Sequence, residues 1–390
     1  MKPRWLLDPE VLFLNHGSFG ACPIPVLELQ QELRARMERE PVLFLGRRFD
    51  AMLDEARLEL AQFVGADPEG LAFVPNATAG VNIALAGLRL APGDELLVTD
   101  HEYNACRNAL EVAALRTGAR VSTVHIPFPC PSADTVVDAV LSALTPRTRL
   151  LLVDHITSPT ALVLPVDRLV RELGARGVEI IVDGAHAPGQ VPLALDSISP
   201  AFYTGNCHKW LCAPKGAAFL WVRADLRPYV RPLVISHGAN STRTDRSRFR
   251  VEFDWTGTAD PTPFLSIPAS IRFLGTLFPG GMEELRARNH GLAVAARALL
   301  VRELGLEIPC PDDLLGFMAS VVLPGSPVLS DEAPGQADPL QDALWEKHRI
   351  EVPIIRWPAL GVRLLRISCQ AYNRFEEYTA LAAALRPLLP

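Results

Sequence analysis

Apolar positions along the chain fall into two rhythms. Short runs with few polar interruptions have the length and composition of strands covered on both faces: LAFV (71–74), ELLVT (95–99), RVSTVHI (120–126), RLLLVDHI (149–156), VEIIVDGA (178–185), AFYTG (201–205) and GAAFLWV (216–222). Between them, apolar residues recur at helical spacing. TAGVNIALAGLRL, YNACRNALEVAALRTG ending at Gly118, the segment from about Ala133 to Leu144 behind the loop PFPCPS, and Val166 to Gly174 read as helices. This alternation predicts an α/β fold, a mostly parallel central sheet flanked by helices, with ligands at the carboxyl ends of the strands.

Toward the C-terminus the pattern changes. A long helix over about Met282 to Leu304, the strand-like FMASVVL, a Gly/Pro/Ser/Asp-rich loop (324–339), a helix near 340–348, the strand RLLRIS and a last helix predict a smaller α+β domain. The expected division is an N-terminal segment 1–25 near the active site, a large α/β domain 26–265 and a small domain 266–390. A helix from Val26 to Glu40 precedes the sheet and packs against one or other domain.

Composition narrows the classes. The 390 residues are 49% hydrophobic and 21% charged, ordinary for a chain with a large core, and a net charge of −6 leaves no basic footprint for nucleic acid. The start has only the short apolar run VLFL, and no run approaches the ~18 residues of a membrane span. Seven scattered cysteines, without CxxC spacing, argue against a zinc site or a disulfide framework, so a reduced, cytoplasmic protein with no membrane partner is expected. Lysine is scarce: Lys2, Lys209, Lys215 and Lys347 stand against thirty-four arginines. Each lysine therefore marks a place where an amine is needed rather than a charge.

Polar residues collect where the pattern puts strand ends. Asp183 closes EIIVD and His186 follows it; Thr157 and Ser158 follow LLLVDHI; Asn206, His208 and Lys209 follow FYTG; Asn76 and Thr78 open a helix whose free N–H groups can seat a phosphate. Each alone has a structural reading as cap, turn or hydrogen-bonding residue. Together they fit pyridoxal 5′-phosphate (PLP), which needs a lysine amine to condense with its aldehyde, a carboxylate against its pyridine nitrogen and donors for its phosphate. A zinc hydrolase using Asp183, His186 and His208 is the runner-up and leaves the lysine and Thr78 unexplained; no metal is expected.

DGAHAPG (183–189) followed by GNCHKW (205–210) resembles the fold type I PLP enzymes of aminotransferase class V, which include cysteine desulfurases. LNHGSFGACP (14–23), DHEYNA (100–105), DHITSPTALVLPV (154–166), HKWLCAPKGAAFL (208–220) and FDWTGTADPTPFL (253–265) resemble more narrowly the isopenicillin N epimerase-like members, and the likeness runs from about Phe13 to Asn373. The resemblance implies that Lys209, rather than Lys215, holds the cofactor. It also implies that Asp183 pairs with the pyridine nitrogen and that His186, with Thr157 or Ser158, lies near the phenolic oxygen. Ala77, Thr78, Asn206 and His208 match phosphate-binding positions. Tyr103 matches the residue that stacks on the ring and is a candidate proton donor opposite Lys209. Thr258 matches a position that reaches the phosphate from a second subunit, which implies a homodimer. Arg366 matches the arginine that grips the substrate carboxylate, although Arg363 or Arg356 compete on composition, and Asn15 and His16 are expected at the substrate, with Tyr203 near it.

The expected function is an amino-acid epimerase or racemase. A β-lyase cleaving C–S bonds of cysteine conjugates or sulfoxides, a class V aminotransferase and a non-catalytic PLP carrier are the alternatives. Persulfide-forming desulfurases need a loop cysteine before the carboxylate-binding arginine. Between Cys310 and Cys369 this chain has none, and the loop PGSPVLSDEAPGQADP offers acids and serine instead.

Overall fold

The computed structural model describes residues 4–325, 338–359 and 361–389. Most of the loop expected over 324–339 therefore lies outside the described residues. A short strand β1 (Leu12–Phe13) precedes the central sheet, which contains β2 (Leu71–Val74), β3 (Glu95–Thr99), β4 (Arg120–Val124), β5 (Thr148–Asp154), β6 (Glu179–Asp183), β7 (Phe202–Asn206) and β8 (Ala218–Val222). Their order is β2-β8-β7-β6-β5-β3-β4. β4, β3, β5, β6 and β7 run parallel, and β8 lies antiparallel to both β7 and β2. Of the parallel strands, β3, β5, β6 and β7 are the apolar runs of the sequence and nearly all of their residues are buried because helices cover both faces, whereas only Val124 of the edge strand β4 is buried.

Helices Ala77–Gly87 and Asn104–Thr117 cover one face, where Val81, Ile83, Leu85 and Leu110 meet Val98, Leu152 and Ile181. The first starts because the Asn76 side chain accepts from Ala79 N–H at 2.8 Å; the second stops at Gly118, which takes a left-handed conformation. On the other face one continuous apolar core joins the sheet to the C-terminal part, so that Val153, Val182 and Trp210 share it with Phe317, Leu365 and Tyr378. That part carries β9 (Met318–Leu323), β10 (Ile350–Glu351), β11 (Ile354–Arg356) and β12 (Arg363–Ser368), with β11-β12-β9 forming an antiparallel sheet. The N-terminal segment ties the two together: β1 pairs in parallel with β10, and the residues after it run to the turn around Lys209.

The helix expected over Val26 to Glu40 spans Ile24–Arg39. A further helix, Phe49–Val64, follows a π-helical turn at Leu43–Arg48 and was not anticipated from the pattern. Among the described residues no helix is long and apolar enough to cross a membrane.

Candidate active site

The carboxyl ends of β5, β6 and β7 place Asp154, Asp183 and Asn206 side by side. Asp154 and Asp183 are register partners, so their side chains leave the sheet on the same face. Asp183 is fully buried; Oδ1 accepts from Ala185 N–H at 2.9 Å and Oδ2 from the Cys106 thiol at 2.9 Å. Burial pushes its carboxyl above the usual range, opposed by these two bonds and by Lys209.

Lys209 sits in the tight turn after β7, where Ala213 N–H closes on Cys207 O at 3.0 Å. Its Nζ lies 3.0 Å from His186 Nε2, and Trp210 Nε1 lies 3.3 Å from His186 Nδ1. The indole N–H can only donate, so Nδ1 accepts and Nε2 carries the proton of the neutral ring. Lys209 can receive that hydrogen bond only as a neutral amine. Burial agrees: with Arg366 nearby it lowers Lys209 to about 8, and it holds His186 well below the ordinary histidine value. His16 Nε2 donates to Lys209 O at 3.0 Å while its Nδ1 accepts from Tyr372 at 2.8 Å, which locks the turn from behind.

Arg366, on β12, is only 3% exposed. Its guanidinium donates to Ser158 O (2.7 Å), Ser158 Oγ (3.2 Å) and Ser18 Oγ (3.1 Å), and among the described residues its Nε has no partner. Among the described residues no carboxylate pairs with it, whereas buried Arg57 and Arg250 both pair with Asp54 and Asp254, and Arg297 pairs with Asp312. An unneutralised guanidinium in the interior is costly, and burial pulls it down to about 10.

At the start of the helix Ala77–Gly87, Ala77 N–H is taken by Asn206 Oδ1 at 2.8 Å and Ala79 N–H by Asn76, while Thr78 keeps its N–H and hydroxyl open among the described residues. His208 donates Nδ1–H to Ala217 O at 3.0 Å and keeps Nε2 open.

Several expected residues are placed otherwise. Thr157 spends its hydroxyl on Leu162 N–H (2.8 Å) and Thr160 (2.7 Å), so of the pair Thr157 and Ser158 it is Ser158 that reaches Arg366. Asn15 bonds Glu351 and Ser18, and Asn15 and His16 give their polar atoms to the scaffold rather than to the cavity. Tyr203 bonds His155 at 2.7 Å in the core. Arg363 and Arg356 pair with Asp338, away from Lys209. Tyr103 stands at the head of helix Asn104–Thr117, 49% exposed and without a side-chain hydrogen bond among the described residues, while its neighbour Glu102 turns inward. Thr258 is exposed in the loop after the helix Arg248–Phe253. Asp183, His186 and His208 do not converge as metal ligands, because Trp210 and Lys209 occupy both ring nitrogens of His186. Trp210, Ser18, Glu102 and Asp154 were not expected from the sequence, although Trp210 and Glu102 adjoin Lys209 and Tyr103, Ser18 lies two residues beyond His16, and Asp154 opens the motif DHITSPTALVLPV.

Residues 25–316 match the family Aminotransferase class-V. The chain belongs to that family. It is 38% identical over 403 residues to isopenicillin N epimerase of Streptomyces clavuligerus (99% of this chain, 97% of that one), and 38% identical over 396 residues to the enzyme of that name from Amycolatopsis lactamdurans (98% and 96%). It is 32% identical over 410 residues to a probable chloroplastic L-cysteine desulfhydrase of Arabidopsis thaliana (98% and 84%). In fold it matches the cystine C–S lyase C-DES bound to its product cysteine persulfide (TM-score 0.81, 22% identity, 97% of both chains). It also matches a variant of that lyase with glycine covalently linked to the PLP cofactor (TM-score 0.82, 21% identity, 99% of this chain, 98% of that one). The cofactor is PLP, and the residues fit it. A neutral buried amine, a buried carboxylate with no cationic side chain bonded to it, an open helix N-terminus and an unpaired guanidinium are the donors and acceptors that an aldehyde, a pyridinium, a phosphate and an amino-acid carboxylate require.

Proposed function

We propose that the enzyme inverts the α-carbon of an amino acid, as an epimerase or racemase. The observation that carries the reading is Arg366, a buried guanidinium with hydroxyl and carbonyl partners but, among the described residues, no carboxylate, in electrostatic reach of Lys209, whose amine is lowered to about 8. An amino acid whose carboxylate completes that pair brings its α-carbon toward the amine. PLP bound there draws electrons from the α-carbon and makes its proton removable.

Lys209 would hold the cofactor and then, as a free amine, take the α-proton at Nζ; burial and Arg366 lower it to about 8, so that its neutral, basic form is available far closer to neutral pH than for an ordinary lysine. Asp183 holds the pyridine nitrogen, oriented by Cys106 and Ala185. His186 directs Nε2–H at Lys209 or at the phenolic oxygen, its tautomer set by Trp210. Thr78, Asn206 and His208 seat the phosphate, Asn206 also holding the helix start through Ala77. Thr258 reaches the phosphate of a partner subunit in a homodimer, which its exposure allows.

A C–S β-lyase is the second reading, favoured by the desulfhydrase at 32% identity. One experiment separates the two. PLP-loaded enzyme is given L-amino acids, cysteine conjugates and sulfoxides, and a penicillin with an aminoadipyl side chain, with chiral analysis of the products. Appearance of the D-centre without keto acid supports inversion; keto acid with ammonia and thiol, and no D-centre, overturns it in favour of the lyase.

A further inference from the structure

The Asp183 carboxylate stands where charge is hard to keep. It is 2% exposed, and among the described residues no lysine or arginine side chain bonds it. Two more buried acids are close: a Glu102 oxygen lies within 4.8 Å of an Asp183 oxygen, and Asp154 is its register partner on β5. Acids crowded in a dry pocket favour taking up a proton, and burial pushes Asp183 that way. Two donors oppose it. Ala185 N–H, which reaches Oδ1, belongs to the backbone. The Cys106 thiol, which reaches Oδ2, is the only side-chain donor to Asp183 among the described residues.

That thiol bond differs from the others in the chain. Sγ lies 2.9 Å from Oδ2, whereas the other thiol contacts among the described residues run from 3.5 to 3.9 Å. Close approach is expected where the acceptor is ionised. The direction of the bond is fixed as well. A thiolate beside Asp183 and Glu102 would add another negative charge, so the hydrogen stays on sulfur; burial and Asp183 hold the thiol well above its ordinary value. Packing keeps the group in place. Cys106 is fully buried in the first turn of the helix Asn104–Thr117, its N–H bonded to Tyr103 O at 2.9 Å, in the same apolar core as Val98, Leu110 and Ile181.

We propose that Cys106 is a positioning residue for the cofactor: its bond to Oδ2 keeps Asp183 ionised against the pyridine nitrogen, so that the nitrogen keeps its proton. The inference rests on the placement of Asp183 at that nitrogen and deepens it, and it holds for inversion and C–S cleavage alike. Without the thiol, Asp183 binds a proton more tightly, and the N–H proton passes from the nitrogen to a carboxylate oxygen, leaving both groups neutral.

The PLP-loaded enzyme, isotopically labelled at the pyridine nitrogen, is compared as wild type, Cys106→Ala and Cys106→Ser. Nitrogen NMR at neutral pH, without substrate, is expected to show a protonated nitrogen in the wild type and in Cys106→Ser, whose hydroxyl replaces the donor. In Cys106→Ala the signal is expected to move toward the unprotonated position. The infrared S–H band that Cys106→Ala removes is expected at lower frequency than that of a thiol in an apolar solvent. In heavy water, using whichever amino acid of the panel above exchanges fastest, Cys106→Ala is expected to slow α-hydrogen exchange roughly tenfold, the low end for a lost hydrogen bond to a charged group. Cys106→Ser is expected to restore it to within a few-fold. A packing role alone leaves the nitrogen signal of Cys106→Ala where it is in the wild type. That result, an undisplaced S–H band, or Cys106→Ser behaving like Cys106→Ala would each overturn the proposal. Asp183→Asn separates it from the placement beneath it. A nitrogen still protonated in that variant takes Asp183, and Cys106 with it, away from the pyridine end, whereas loss of the proton there with retention in Cys106→Ala strikes out Cys106 alone.

Discussion

Burial sets the state of Lys209. With its pKa brought down from 10.5 to about 8, the amine is increasingly neutral as pH rises through that value and fully so above it. When PLP is added to cofactor-free protein, the rate at which the visible band of the attached cofactor appears should therefore climb with pH and level off above about 8. Lys209→Ala should show no such band at any pH, and its α-hydrogen exchange should fall by roughly 10²–10⁴-fold. The same displacement makes a stability statement. Between about 8 and 10.5 the unfolded chain holds more protons at this site, so the cofactor-free fold gains stability as pH rises across that window. Arg366→Gln should leave the PLP band intact but cut kcat/KM roughly ten- to hundred-fold, the equivalent of about 1.5–3 kcal/mol for hydrogen bonds to a charged group. Lys209 was legible in the sequence because lysine is rare there. The nearness of Glu102 and Asp154 to Asp183 was not, since it depends on two strand ends being register partners and on a helix head meeting them, neither of which is local in sequence.

At the scale of elements, the site depends on how closely the N-terminal segment approaches the turn that follows β7. Gly20, at φ +72°, has no room for a side chain: a Cβ there would lie 2.2 Å from His208 O and 2.9 Å from Lys209 O. Gly20→Ala should push the segment off the turn, loosening His16 from Lys209. It should lower both thermal stability and PLP occupancy, measured by melting and by bound-cofactor absorbance. Most strands from Leu71 to Val222 could be read directly, because strands buried on both faces are nearly unbroken apolar runs; the edge strand β4, RVSTV, is the exception. The antiparallel direction of β8 could not, since direction is set by the length of the turn through Lys215 rather than by the strand's own residues. The helix Phe49–Val64 escaped because its charged residues hide a buried stripe, in which Arg57 is held by Asp54 and Asp254.

Across the whole molecule, one core runs from the large sheet into the C-terminal sheet, so the N-terminal segment, β7 turn and β12 are held as a unit around Lys209. Acid should strain that unit. His16 and His155 are buried and neutral, lowered to about 3 and about 4, so the unfolded chain takes up protons first. Their contribution is complete above about 6.5 and lost as pH falls toward 4 and below, and the urea midpoint should drop across that range. The homodimer can be tested by mixing inactive chains. If Thr258 serves the partner's site, refolding Lys209→Ala with Thr258→Val chains restores one native site per mixed dimer, about a quarter of all sites at random pairing. If Thr258 serves its own chain, mixing restores none.

The most direct test of the central claim is proton NMR of the PLP-loaded enzyme in heavy water with the same panel of amino acids. The α-hydrogen signal of at least one of them should disappear with the wild type, accompanied by the D-centre, and persist with Lys209→Ala. Persistence of every α-hydrogen with the wild type, or its loss at an undiminished rate in Lys209→Ala, would contradict the account.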